Sequence, residues 1–270
     1  MKKIIIGSLM FVVMVFCAQA SFAFSVNIND GGLSEWGVTP VSHWHPNDGV
    51  YHNPEIQSNG SNSEDQNSSY LNPGWGGQTY DVEAMYATYD STNLYFAIVT
   101  GFPPSVVGIN KPGDIAFDFG IDSVLGDTST VLSYEFGIET TNLGSLTKGG
   151  LYSAKTWGLG YNNWGGGAYY GGSYDGAPTE MLAVNGSMLC QGALNYYQYD
   201  SQRWIIEGYV PHSYFGDYWQ NGNNFRMHWT ETCGNDFGIV DVNITPEPAT
   251  LSLLGLGLLG LAGFRKKKNV

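Results

Sequence analysis

Asp114, Asp118 and Asp122 recur every four residues through a stretch whose intervening Ile115, Phe117 and Phe119 are apolar. On an unbroken strand the three carboxylates share one face while the apolar residues enter a core. Hard oxygen ligands of this kind suit a structural Ca²⁺, here or at another acidic cluster. An alternating strand needs a polar outer face in any case, and no D-x-D-x-D-G loop is present. A second chemistry is stacking on sugar. Tyr152, Trp157, Tyr161 and Trp164, continued by Tyr169, Tyr170 and Tyr174, are rings separated by glycines that let a ligand reach the backbone. Ring faces cover the apolar C–H face of a pyranose while Asn, Asp and Gln grip its hydroxyls. The same rings can instead pin a glycine-rich loop onto the fold.

Other constellations are thinner. His43 and His45 can lie on one side of an extended segment with His52 nearby, but zinc needs a third or fourth ligand. Met227 and His228 are adjacent, so a strand turns them to opposite faces, which counts against an axial pair for haem. The chain has no G-x-S-x-G, no H-E-x-x-H and no nucleotide-binding loop. Carboxylate pairs for glycoside hydrolysis depend on a separation that the sequence does not give. The sequence therefore predicts a non-catalytic protein with no required cofactor.

Both chain ends are addresses rather than fold. Lys2 and Lys3, the apolar run Ile4 to Cys17, and Ala18-Gln19-Ala20 or Ser21-Phe22-Ala23 form a secretory signal peptide over residues 1–23. At the other end, Pro246-Glu247-Pro248 precedes sixteen uncharged residues, Ala249 to Phe264, and then Arg265-Lys266-Lys267-Lys268. As a helix those residues span about 24 Å, short of the roughly 30 Å hydrocarbon core, so the anchor is marginal. The basic cluster keeps the C-terminus cytoplasmic and everything before it outside. An ordinary single-pass anchor is one reading of this tail and a sorting tag is the other.

With both ends set aside, Lys111, Lys148, Lys155, Arg203 and Arg226 are the only cations facing nearly all of the 24 acidic residues. Such a surface repels nucleic acid and anionic headgroups. Two cysteines remain, Cys190 and Cys233, and an even pair in an oxidising compartment predicts one disulfide, two buried thiols being the alternative. The domain is residues 24–244, long enough for one buried core. Its periodicity is two. Tyr80 to Thr100 reads as a hairpin turning at Asp90-Ser91-Thr92-Asn93, with further strands at 24–29, 114–119, 131–139, 196–199, 203–210, 225–232 and 237–242. Two long segments, 37–78 and 144–176, read as loops. The expectation is an all-β fold, a single antiparallel sandwich of jelly-roll type.

Two resemblances add to this reading. The order of Pro246-Glu247-Pro248-Ala249-Thr250, a Gly/Leu-rich span and a basic end is similar to the PEP-CTERM sorting signal. That resemblance covers residues 245–270 and implies processing by a membrane exosortase-type enzyme in a Gram-negative, exopolysaccharide-making cell. Separately, Asn29-Asp30-Gly31-Gly32-Leu33-Ser34-Glu35-Trp36 resembles the opening of sandwiches of the carbohydrate-binding-module family nine-like and DOMON-like type. Tyr89 to Phe96 and Pro112 to Asp118 continue the likeness. It implies a sandwich with a Trp docked under a sheet, which binds sugar in many relatives and haem in some. The expected protein is exported, transiently anchored with its domain periplasmic, then placed at the cell surface or in the matrix. There it is expected to bind polysaccharide. The alternative is a structural matrix or adhesion protein without a small ligand. Behind both stands a secreted glycosidase or haem/redox protein.

Overall fold

The computed structural model describes residues 26–38, 61–63, 78–121, 134–160, 178–234 and 236–245, with the backbone alone at 61–63 and 159. The chain divides into Phe24–Ile244 and a second unit made of Met1–Ala23 with Thr245–Val270. Of that second unit only Thr245 is described.

The described strands are β1 (Ser61–Ser63), β2 (Val82–Tyr89), β3 (Asn93–Thr100), β4 (Ile115–Phe119), β5 (Phe136–Ile138) and β6 (Gly150–Leu159). They continue with β7 (Pro178–Val184), β8 (Cys190–Gln191), β9 (Ala193–Gln198), β10 (Trp204–Pro211), β11 (Asn224–Thr230) and β12 (Phe237–Asn243). One sheet has the order β1-β2-β3-β10-β9; the other runs β12-β11-β4-β5-β6-β7, with β8 also paired to β6. Every pairing between these strands is antiparallel. The fold is an all-β sandwich.

Alternation explains the interior. Met85, Ala87, Leu94, Phe96, Ile98, Ile206 and Val210 of the first sheet share one core with Ile115, Phe117, Phe119, Ile138, Phe225, Met227, Trp229, Val240 and Val242 of the second. Burying each large apolar side chain contributes about 1.5–3 kcal/mol against the unfolded chain. At one end of this core Phe119 is ringed by Phe136, Phe215, Tyr218, Trp219 and Phe225, at centroid distances from 5.1 to 6.5 Å.

The outer faces are covered too, which simple alternation does not predict. Over the first sheet, Leu33, Trp36 and Val38 lie on Ala84, Tyr86, Tyr95, Ala97, Val99 and Ile205. The single 3-10 turn Ser34–Trp36 carries the indole inward and ends at Gly37, whose φ of 69° a side chain would resist. Over the second sheet, Trp157 of β6 and Met181 of β7 close on Ala116. A Cβ at Gly137 would sit 2.6 Å from both the Trp157 ring and the Met181 sulfur, so only glycine admits this layer. Three register shifts between β6 and β7 bend the ribbon there.

Two sequence expectations need correction. Residues 26–29 form no strand: Asp30 N–H bonds the Asn27 carbonyl in a turn, because Asn and Asp here favour local bonds over a ladder. Both segments expected to be loops contain a strand: 37–78 holds β1, and 144–176 holds β6, whose bulges hide the two-residue period.

Candidate functional site

A cleft among the described residues lies where β4 begins. Its floor is Asp114, its walls are Glu139, Thr141 and Leu143 to Leu146, and its rim is Lys111, Glu180 and Met181. The volume is about 40 Å³, room for a water or one small group. Backbone holds the floor: Asp114 accepts from Met181 N–H at 2.7 Å and Thr140 N–H at 3.4 Å. Gly113 permits the convergence, since a Cβ there would stand 2.0 Å from the Thr230 carbonyl oxygen. Burial, then the charge of Glu139, raises the Asp114 carboxyl well above the usual range. Burial also raises Glu139, against the Thr141 N–H and hydroxyl that donate to it at 3.2 and 3.3 Å. The two carboxyls hydrogen-bond each other. This arrangement favours one shared proton over two negative charges. Lys111 Nζ is 3.1 Å from Glu180 Oε2 at the rim, where both side chains are more than one third exposed.

A second acidic group stands on the other side of the sandwich. Asp30, Glu35 and Glu207 bring one oxygen each to within 4.8 Å of one another. Glu207 is fully buried on β10 and accepts the Trp36 indole N–H at 2.6 Å and the Tyr197 hydroxyl at 3.5 Å. Burial pushes its carboxyl up to about 8, with Glu35 and Asp30 adding to the rise and the Trp36 bond opposing it. These are hard oxygen donors of the kind Ca²⁺ takes, and at neutral pH a cation there would compete with the Glu207 proton.

The residues singled out from the sequence are distributed differently. Asp114 and Asp118 are both buried on the expected face. Extended chain separates the Cα atoms of Asp114 and Asp118 by roughly 13 Å, wider than two carboxylates on one ion. Asp118 instead stands opposite Arg226 in register, and Asp122 lies outside the described residues. Tyr152 and Trp157 are buried, with the Trp157 indole donating to the Tyr134 carbonyl at 2.9 Å. They are core rings with no open face for a sugar. Tyr161 and Trp164 lie outside the described residues, as do His43, His45, His52 and Pro246-Glu247-Pro248.

The expected disulfide is also corrected: Cys190 and Cys233 are both thiols. Cys190 pairs with Leu151 at the start of β6. Gly234, next to Cys233, abuts Gly160 beyond the end of β6. Nine strand residues, roughly 30 Å, separate those ends, against the ~7 Å Cα limit for a bridge. Met227 and His228 do face opposite ways, Met227 into the central core.

Glu139, Glu180, Glu35 and Glu207 each read in the sequence as one acid among many. The usable signal was Glu207, a charge inside the apolar run Trp204-Ile205-Ile206 to Tyr209-Val210.

Compared with known proteins, the chain matches the PEP-CTERM protein-sorting motif over residues 245–268. No curated protein and no solved structure matches it. Trp36 docks under a sheet as the sandwich resemblance implies, but the likeness gains no further support. Among the described residues no helix is long and apolar enough to cross a membrane, and the tail lies outside them. The chain carries at its C-terminus the PEP-CTERM motif through which exported proteins are anchored, recognised by exosortase-type enzymes and sorted.

Proposed function

We propose that this is a non-catalytic protein of the cell surface or exopolysaccharide matrix, delivered there by exosortase-type processing of its tail, where its sandwich binds glycan. The single observation that carries the proposal is the sorting motif at 245–268. The signal peptide expected over residues 1–23 agrees with it on topology, leaving the acidic sandwich outside the inner membrane. A surface rich in carboxylates suits a hydrated matrix and disfavours nucleic acid. A volume of about 40 Å³, too small for a sugar ring, supports a structural role for the Asp114 cleft rather than hydrolysis of a sugar there.

Burial of Tyr152 and Trp157 favours a second reading, a structural matrix component with no small ligand. Fractionating cells that express the intact chain or a variant with Pro246, Glu247 and Pro248 all changed to Ala tests delivery. The intact chain is expected in the surface or matrix fraction and the variant in the inner membrane. Identical distribution of the two would overturn the sorting proposal.

A further inference from the structure

Two exposed aromatic side chains stand out among the described residues, Tyr214 at 48% and Tyr218 at 44% exposure. Both lie on the turn between β10 and β11. We propose that this turn binds a neutral polysaccharide, with the Tyr214 and Tyr218 rings as its apolar contacts. The inference rests on the glycan-binding reading above and gives it a place.

The turn is held rigidly from beneath. Phe215, between the two tyrosines in sequence, is buried against Phe117, Phe119 and Phe136 at 5.5, 5.1 and 5.1 Å. His212 stacks on Trp219 at 4.6 Å with planes 5° apart, and Trp219 meets Tyr89 edge-on at 5.3 Å. Tyr218 meets Phe136 at 5.3 Å and Phe119 at 5.6 Å, which fixes its ring while much of the side chain stays in solvent. Gly216, with φ of 59°, makes the kink between the two exposed rings. The Trp219 N–H closes on the Gly216 carbonyl at 3.2 Å, and the Asn223 side chain donates to the Tyr218 carbonyl at 3.0 Å. A surface ordered before binding loses little entropy when a ligand arrives.

The surrounding groups define the ligand class. Ser213, Asp217, Gln220 and Asn221 are exposed beside the rings and offer hydroxyl, carboxylate and amide partners for sugar hydroxyls. From Pro211 to Asn224 the chain has no Lys or Arg and one carboxylate, Asp217. An acidic polysaccharide finds no counter-charge there; a neutral pyranose finds an apolar face and hydrogen-bonding groups.

The test is retention of the full-length chain, in mild detergent, on cellulose, chitin and agarose, with alginate as the acidic arm. Wild type is expected to be retained on at least one neutral polymer and not on alginate. Tyr214→Ser should weaken retention tenfold or more with an unchanged melting temperature, Tyr218→Ser likewise, and Tyr214→Trp should preserve it. If Tyr218→Ser unfolds the chain, Tyr214→Ser decides. Undiminished retention of Tyr214→Ser would overturn this site and leave glycan binding intact. Absence of wild-type retention on every polymer would overturn both, and retention on alginate alone would overturn the neutral class.

Discussion

The two outer faces of the sandwich bury charge in opposite ways. On the face that carries Trp36, the buried charges have partners: Arg203 reaches Glu83 at 2.7 Å and Asp200 at 2.8 Å, and Glu207 receives the Trp36 and Tyr197 donors. On the other face His228 is fully buried, stacked on Phe237 at 5.6 Å, with no hydrogen-bond partner for either ring nitrogen. Its charged neighbour Arg226 looks away to Asp241, which is 44% exposed. The first face is fastened by partnered charge. The second buries Asp118 opposite Arg226 and Asp114 beside Glu139, and leaves its imidazole unpartnered and neutral. Each therefore fails under a different stress.

The largest contrast should come from removing an arginine on each side. Arg203→Met leaves the Glu83 carboxylate buried without its cation and should cost about 3–5 kcal/mol in urea unfolding. Arg226→Met removes a pair with Asp241, whose acid is already in solvent, together with the cation facing buried Asp118, and should cost less than Arg203→Met, about 1–3 kcal/mol. Equal losses would erase the distinction.

Acidity sharpens it next. Burial, aided by Arg226, lowers His228 from 6.5 to about 3, so the unfolded chain takes up a proton that the folded chain refuses. That contribution is present above pH 6.5 and is lost as pH falls toward 3. Glu207 runs the other way, raised from 4.5 to about 8 chiefly by burial. Its contribution is present below pH 4.5 and is lost as pH rises through 8. Each is expected to span on the order of 5 kcal/mol of stability. His228→Phe should remove a rise in stability between about pH 3 and 6.5, and Glu207→Gln should remove part of a fall between about pH 4.5 and 8, where Asp114 and Glu139 act in the same direction. If both variants change the slope with the same sign, the opposite burial of the two groups fails. The smallest effect should be that of reductant. With neither cysteine bridged, dithiothreitol is expected to move the melting temperature by less than about 1 °C.

What sequence reading reached and missed follows from these faces. The hairpin of β2 and β3 was legible because Asp90 closes its turn locally, accepting from Thr92 and Asn93 N–H at 2.7 Å each. β4 was legible from the alternation of Ile115, Phe117 and Phe119. The covering layers were not. Asp118 looks like the polar side of a half-buried strand, yet every residue of β4 is buried because β6 and β7 fold across it. For the same reason Tyr152 and Trp157, spaced by small residues, resemble a binding loop and are core. Asp30, Glu35 and Glu207 meet only through the docking of Trp36, a contact across 171 residues that no local pattern encodes. The tail needed no tertiary contact, since its order of motif, apolar span and basic end is linear.

The central claim is that a rigid sandwich is exported and then parted from its sorting tail. The most direct measurement is the intact mass of the protein recovered from the surface or matrix fraction of the cells that make it. The account predicts a chain beginning after Ala20 or Ala23 and ending before the apolar run from Leu251, with both cysteines as thiols or small-molecule adducts. A mass that still includes Leu251 to Val270, found only in the inner membrane, would contradict it.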